Sequence, residues 1–196
     1  DLQHPFSQSD VATLADFAKT NIVAAYQGAV PGCFPANCSD GTVDGIAIRL
    51  LFPGTDLQAT FSQIQIRHGF PLQTTLLQLT GEAANWLRTS RVDAQLTGRM
   101  VVDVVLFADS AMHGTVEVCD AGGIDPKIRA VMVAESGRTA WRFQKDAVAE
   151  DLVAAAAAAA RVGTPAAAQV FSFAVRSTTG AIDNSNVPVA QPGTDV

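Results

Sequence analysis

Apolar residues near the start of the chain recur three and four positions apart, which is the spacing of one face of an α-helix. Ser7 and Asp10 come just before this face, and a serine followed three residues later by an acidic residue is typical of a helix start. Gly28 is typical of the helix end. The same spacing after Pro71, and an alanine-rich run with Asp146 as its N-cap, predict two further helices.

Shorter stretches of alternating apolar or β-branched residues predict strands. Two pairs of these stretches are joined by glycine-containing turns, at residues 53–56 and 135–138, and are expected to form antiparallel hairpins. The predicted strands cover residues 45–52, 57–66, 100–108, 128–134, 139–143 and 169–176. Residues 109–127 show no such alternation, and we expect an irregular segment there.

The second strand of the first hairpin has an interrupted alternation. Its apolar residues occupy odd positions as far as Phe61 and even positions from Ile64 onward. Because successive strand residues point to opposite faces, a shift of one residue would move the apolar side chains from one face to the other. We therefore expect a bulge or a break near Ser62 or Gln63.

The order of elements is helix, hairpin, helix, strand, hairpin, helix, strand. Hairpins without regular strand–helix–strand alternation favour an α+β fold, with helices packed on an antiparallel or mixed sheet. A chain of 196 residues is long enough for one domain with a substantial core. We assign residues 1–178 to this domain. Residues 179–196, rich in polar residues, Pro and Gly, are expected to form a flexible tail.

Charge and composition exclude two classes of partner. The formal charge is −6, from 19 acidic and 13 basic residues, and the basic residues are scattered, so nucleic-acid binding is not expected. A local patch around Arg138 and Arg142 could still bind a small anion. No apolar stretch approaches the roughly 18 residues of a membrane span, and we expect a cytoplasmic protein without membrane contact. The three cysteines form no complete disulfide framework, although Cys33 and Cys38 could form a small disulfide loop in an oxidising compartment.

Several segments resemble the AMMECR domain family in sequence and order. They are AAYQG at 24–28, GIAIRL at 45–50, VVLF at 104–107, GRTA at 137–140 and FSFAVR at 171–176. The resemblance spans about residues 7–178 and implies the α+β fold of that family. Bacterial members are associated with radical SAM and Memo-like proteins, which implies a protein partner of that kind.

The chain departs from this family at its hallmark motif. The family has Leu-Arg-Gly-Cys-Ile-Gly on the second strand of the first hairpin, where residues 57–62 read Leu-Gln-Ala-Thr-Phe-Ser. Thr60 thus stands in the place of the cysteine. A threonine hydroxyl is not ionised near neutral pH and needs an adjacent base to act as a nucleophile, so chemistry that depends on the thiol is expected to be lost.

Other potential reactive residues lack the spacing of a known site. The one dense set of potential metal ligands does not follow a metal-binding pattern. It consists of Asp103, Asp109, His113, Glu117, Cys119 and Asp120. Ser110 lies beside Asp109 and His113, yet there is no Gly-x-Ser-x-Gly elbow. Cys119 has no neighbouring positive charge to lower its pKa. We therefore expect no catalytic residues, no metal and no cofactor.

Two functions remain open from the sequence. The first is a non-catalytic binding or accessory module, with a cleft for a protein segment or a small ligand. The second is an enzyme, or an enzyme component, in a radical SAM/Memo-type modification pathway. The side chains expected to contact a ligand are Thr60, Ser62, Arg138 and His113. A cleft lined by all four would favour the enzyme, and their dispersal would favour the binding module.

Overall fold

The computed structural model describes residues 4–184. The helices are α1 (Gln8–Tyr26), α2 (Leu72–Thr89), α3 (Ala94–Gly98) and α4 (Ala149–Ala159). The strands are β1 (Thr42–Val43), β2 (Gly45–Leu51), β3 (Gln58–Ile64), β4 (Phe70–Pro71), β5 (Val101–Thr115), β6 (Arg129–Glu135), β7 (Arg138–Gln144), β8 (Gln169–Ser177) and β9 (Ala181–Asp183). The predicted α+β class is confirmed.

One antiparallel sheet contains seven of these strands, in the order β3-β2-β5-β8-β6-β7-β9. The two-residue strands β1 and β4 pair separately. Both predicted hairpins, β2–β3 and β6–β7, are confirmed. The turn of the second hairpin holds Ser136 and Gly137 at φ values of 51° and 80°, a left-handed conformation that glycine adopts without strain.

Helices cover one face of the sheet in two groups. Helices α1 and α2 pack on β2, β3 and β5, with Leu14, Ile22, Leu76 and Leu87 fully buried at their contact. Helix α4 packs on β6 and β7 through small side chains such as Ala156. The alanine-rich sequence of α4 therefore allows a close approach between helix and sheet. None of the helices in residues 4–184 is long and apolar enough to cross a membrane.

On the other face of the sheet, the side chains of its strands pack against one another. Its apolar cluster draws side chains from all seven strands and from no helix, among them Phe107 on β5, Trp141 on β7 and Phe173 on β8. The Phe107 ring contacts the other two edge-on, with centroid distances of 5.2 and 5.9 Å. A face can be buried in this way only if the sheet curls, and β3 and β9 are consequently brought towards each other across a seam.

The expected bulge near Ser62 or Gln63 is wrong. Strands β2 and β3 pair without interruption from Gly45–Ile64 to Leu51–Gln58. Phe61 packs towards the helices, whereas Ile64 packs inside the curled sheet. Because both faces of β3 are buried, apolar residues occupy both sets of alternating positions, and the shift in the pattern needs no change of register.

The irregular segment predicted at 109–127 is also partly wrong, because β5 continues to Thr115. Two shifts of register interrupt its pairing with β8, between Ala108 and Ala111 and between Met112 and Thr115. Asp109 lies in the first shift with φ at 50°. These irregularities break the alternation of apolar residues, which explains why the sequence pattern did not indicate a strand.

The helix ends agree with the sequence at α1 and differ at α4. The Ser7 side chain caps α1 and Asp10 completes a capping box. Helix α4 instead begins after Val148, which has no side-chain cap, so Asp146 is not its N-cap. Strand β9 lies within the predicted tail and pairs with β7, which extends the ordered chain beyond residue 178. Residues 185–196 of that tail lie outside the described residues.

Candidate binding site at the seam of the sheet

The seam lies between β3 on one side and β7 and β9 on the other, and a side-chain contact closes it at one point. The indole Nε1 of Trp141 donates a hydrogen bond to Ser62 Oγ over 3.3 Å. Elsewhere along the seam a cavity of about 270 Å³ remains between β2 and β3 on one side and β7 and β9 on the other. It is lined by Arg49, Gln58, Arg142, Phe143, Gln144, Ala181, Ile182 and Asp183. Two arginines thus face a cavity between the two ends of the same sheet.

Arg49 is held on one wall by an acidic neighbour. The strand register places Arg49 opposite Asp103, and its Nε and Nη2 atoms donate to Asp103 Oδ2 over 3.1 and 2.7 Å. Nη2 also donates to Thr179 Oγ1 over 3.1 Å. The side chains of the pair are only 17% and 9% exposed, so the ion pair is largely shielded from solvent. Its charge is therefore screened little by salt.

Arg142 forms the opposite wall. Its Nη1 atom donates to a carboxylate oxygen of Asp183, the residue opposite it on β9. Its Nε atom is buried and has no hydrogen-bond partner among residues 4–184. A buried donor without an acceptor is unfavourable, because on folding it loses its hydrogen bonds to water and no protein acceptor replaces them. This atom indicates that the seam is suited to an additional acceptor.

Thr60 on β3 lies directly opposite Arg49 on β2. The β2–β3 register pairs the two residues, and Thr60 is completely buried. Its hydroxyl oxygen is the second buried polar side-chain atom without a partner in the described part of the chain. The hydroxyl does not line the cavity, so Thr60 is a neighbour of the site rather than an exposed reactive group.

The four residues expected to bind a ligand do not come together. Thr60 and Ser62 lie inside the curled sheet on β3. Arg138 lies at the β6–β7 turn, where Nη2 contacts Glu135 Oε1 over 2.5 Å and Nε donates to Ala160 O over 3.1 Å. His113 lies on β5, in a separate polar network.

Arg138 and Glu135 together hold the end of α4. Glu135 accepts hydrogen bonds from the backbone N–H groups of Gly163 and Thr164 over 2.9 and 2.8 Å. These two bonds, followed by the charge and hydrogen bond of Arg138, lower the pKa of Glu135. Arg138 also donates to Arg161 O. Its position is explained by the carbonyl groups at a helix end, which have no partners within the helix.

His113 belongs to a buried serine–arginine network. Arg129 Nε donates to Ser172 Oγ over 2.8 Å, and the Ser172 hydroxyl lies 2.6 Å from His113 Nε2. Arg129 also binds Asp109, with Nη1 and Oδ2 3.0 Å apart. Burial, and then the positive charge of Arg129, lower the pKa of His113. Ser172 is completely buried, so the serine–histidine contact gives a substrate no access to the hydroxyl.

The other reactive residues considered from the sequence are also separated. Ser110 Oγ donates to Ile66 O rather than approaching His113. Burial raises the pKa of the Cys119 thiol, which disfavours the thiolate. Cys33 and Cys38 are free thiols. Within residues 4–184, no three His, Cys, Asp or Glu side chains converge on a point that would hold a metal ion.

A larger cavity, of about 600 Å³, lies between α1 and the loop at residues 30–37. Its one buried polar side chain, Asn21, is satisfied at both ends, since it donates to Thr80 and accepts from the Gly32 backbone. The seam cavity is smaller but is lined by Arg142, whose buried Nε atom has no hydrogen-bond partner among the described residues. We therefore consider the seam the better candidate for a binding site.

The sequence does not identify Arg49 or Asp183 as site residues, and it considers Arg142 only as part of a basic patch with Arg138, from which the structure separates it. Arg49 lies in an otherwise apolar strand, and a charged residue among buried neighbours was the one available signal. Arg142 and Asp183 meet only because β9 returns to β7, in a segment whose composition is typical of a tail. The site therefore depends on a long-range pairing that no local pattern predicts.

No family model matches this chain, and no curated protein matches it in sequence. Its fold is similar to that of PH0010, an uncharacterised protein from Pyrococcus horikoshii whose crystal structure is known. The TM-score is 0.62 with 14% sequence identity, and the match covers 88% of this chain and 92% of that one. At this identity the likeness shows a related fold, and the function has to be argued from the site.

Proposed function

We propose that this protein is a non-catalytic binding module and that it binds a small ligand in the seam cavity. The observation that carries the proposal is the buried Nε atom of Arg142, which has no acceptor in the described part of the chain although Arg142 lines the cavity. A ligand acceptor would satisfy this donor. The wall opposite, formed by Arg49 and Gln58, offers further donors to the same ligand.

The volume of the cavity favours a small ligand over a protein segment. Pockets for drug-sized molecules are typically about 300–1,000 Å³, and the seam cavity at about 270 Å³ lies just below that range. Ligands are also commonly held by a few polar groups beside apolar ones, and Phe143 and Ile182 provide the apolar part here.

The arrangement of the candidate reactive groups supports binding rather than catalysis. Thr60, Arg138 and His113 lie in three separate places, and none of them lines the seam cavity. The Thr60 hydroxyl has no hydrogen-bond partner among the described residues, and thus no base bonded to it, and Thr60 is completely buried. A hydroxyl without an adjacent base is a weak nucleophile, so the threonine does not replace a reactive cysteine.

The proposal includes an AMMECR-like identity. It is supported by the five segments that resemble that family and by the α+β fold in which they occur. This identity further implies a cytoplasmic protein with a radical SAM or Memo-like partner. In that setting the module would supply ligand binding, while its partner would supply any chemistry.

The test is a screen of small polar metabolites by NMR, with assignment of the backbone amides. We expect some compounds to shift the amides of Arg142, Gln144 and Ile182. Gln58→Trp fills the seam cavity and should abolish these shifts. Gln78→Trp, the same change at an exposed position on α2, should leave them intact. If no compound shifts the seam amides, or if Gln58→Trp leaves the shifts unchanged, the proposed function is wrong.

A further inference from the structure

We infer that the ligand of the seam cavity is a short carboxylic acid, and that its carboxylate binds the free edge of the Arg142 guanidinium. This inference rests on the proposed function and names the class of ligand. It is carried by the way in which each arginine is bonded, and by the balance of charge around the cavity.

Arg142 has one edge of its guanidinium occupied and one edge free. Nη1 donates to Asp183. Among the described residues, Nε and Nη2 donate to no acceptor, and Nε is buried. The Nε–Nη2 edge presents two parallel N–H groups, whose spacing matches the two oxygens of a planar carboxylate. A ligand carboxylate placed there would complete the bonding of Arg142.

Arg49 supplies the second contact from the opposite wall. Its Nε and Nη2 atoms are held by Asp103, and Nη2 also contacts Thr179. Its Nη1 group donates to no described residue and lies in a side chain that lines the cavity. A ligand with a second acceptor, such as a keto, hydroxyl or further carboxylate oxygen, would reach both walls.

The charges around the cavity favour a ligand with few negative charges. Arg49 and Arg142 are each paired with one carboxylate, from Asp103 and Asp183. The net charge of these four side chains is therefore zero. A polyanion such as a nucleotide triphosphate would meet no excess of positive charge. A single carboxylate does not need an excess of positive charge, because its binding to the guanidinium edge comes from two charge-assisted hydrogen bonds.

The test compares acids with neutral molecules of the same shape. Carboxylic acids of two to five carbons, mono- and dibasic, are titrated into the full chain, each beside its amide. Inorganic phosphate is included, together with a tetrapeptide that has a free or an amidated C-terminus. We expect at least one acid to shift the seam amides, its amide to bind at least about tenfold more weakly, and phosphate and both peptides to bind more weakly than the acid.

Arg142→Lys keeps the positive charge but removes the two-pronged edge, and should weaken the acid at least about tenfold. Arg138→Lys, the matched change at the β6–β7 turn, should leave it unchanged. Thermal melting confirms that both variants fold. Equal binding of acid and amide, or equal binding by Arg142→Lys, would overturn the inference, as would tighter binding of phosphate. Tighter binding of the free-ended peptide would assign the site to a protein terminus instead.

Failure of this inference can be distinguished from failure of the proposed function. If no acid binds, but a neutral compound shifts the seam amides and is excluded by Gln58→Trp, the ligand class is wrong and the binding site stands. If Gln58→Trp changes the binding of no compound, both are wrong.

Discussion

The Nη2 atom of Arg49 lies 2.7 Å from Oδ2 of Asp103, and the β2–β5 register places the two residues directly opposite each other. Both side chains are largely buried, and Asp103 receives two of the three hydrogen bonds that Arg49 donates. The pair fixes one wall of the seam cavity. Its loss would leave a guanidinium buried without its counter-charge.

Asp103→Asn is therefore expected to destabilise the fold by about 3 kcal/mol, since removing one partner of a buried ion pair leaves the other uncompensated. Asp56→Asn is the control, because Asp56 is exposed and forms no ion pair among residues 4–184. The expected loss there is about 0.5 kcal/mol or less, as for most surface substitutions. Urea denaturation of both variants measures the difference, and equal losses would contradict the prediction.

Thr60→Val is expected to leave the fold as stable as the wild type, or to stabilise it by about 1 kcal/mol, because the replaced hydroxyl is buried without a partner. Thr80 is equally buried but donates to Leu77 O over 2.7 Å and accepts from Asn21 over 3.0 Å. Thr80→Val should therefore cost about 1–3 kcal/mol. Thermal and urea unfolding compare the two, and a similar loss in both would show that the Thr60 hydroxyl is satisfied.

Much of the fold follows from local sequence signals. The capping box at Ser7 and Asp10, the glycine turn at 136–137 and the alternation in 45–52 each act within a few residues, and each predicted element is present. Where both faces of a strand are buried, as in β3, the alternation of apolar and polar residues disappears. The sequence therefore predicts a bulge there that the structure does not contain. Register shifts at Asp109 also interrupt the alternation in β5.

The site was less predictable than the fold because its residues meet through distant pairings. Arg49 and Asp103 are 54 positions apart, and Arg142 and Asp183 are 41 apart. In neither pair does the separation along the sequence indicate that the two residues lie close together in the fold. The sequence predicts Arg138 to contact a ligand, yet the structure places it at the carbonyl end of α4.

Arg138→Ala is expected to lower the melting temperature modestly, because the side chain bonds the carbonyl groups of Ala160 and Arg161 after α4. The side chain is 48% exposed, so we expect a loss of about 1 kcal/mol or less. Binding at the seam should be unaffected. A loss of ligand binding in a folded Arg138→Ala variant would return this residue to the list of site residues.

His113 is expected to make the fold less stable at mildly acidic pH. Burial and the charge of Arg129 lower its pKa in the folded protein below the ordinary value of 6.5, and Asp120 opposes this only in part. In the unfolded chain the imidazole takes up a proton as the pH falls through about 6.5, whereas in the folded chain it does so at lower pH. The unfolded state therefore binds more protons in this window, so the free energy of unfolding decreases as the pH falls.

His113→Gln removes this titration and keeps a polar side chain near Ser172. Burial also lowers the pKa of His4, but that residue is unchanged in the variant. The difference between the two proteins therefore isolates His113. Urea denaturation followed by tryptophan fluorescence, at several pH values between 7.5 and 5, should give a steeper loss of stability in the wild type than in His113→Gln. Parallel pH dependences would show that the Ser172–Arg129 network tolerates a protonated imidazole.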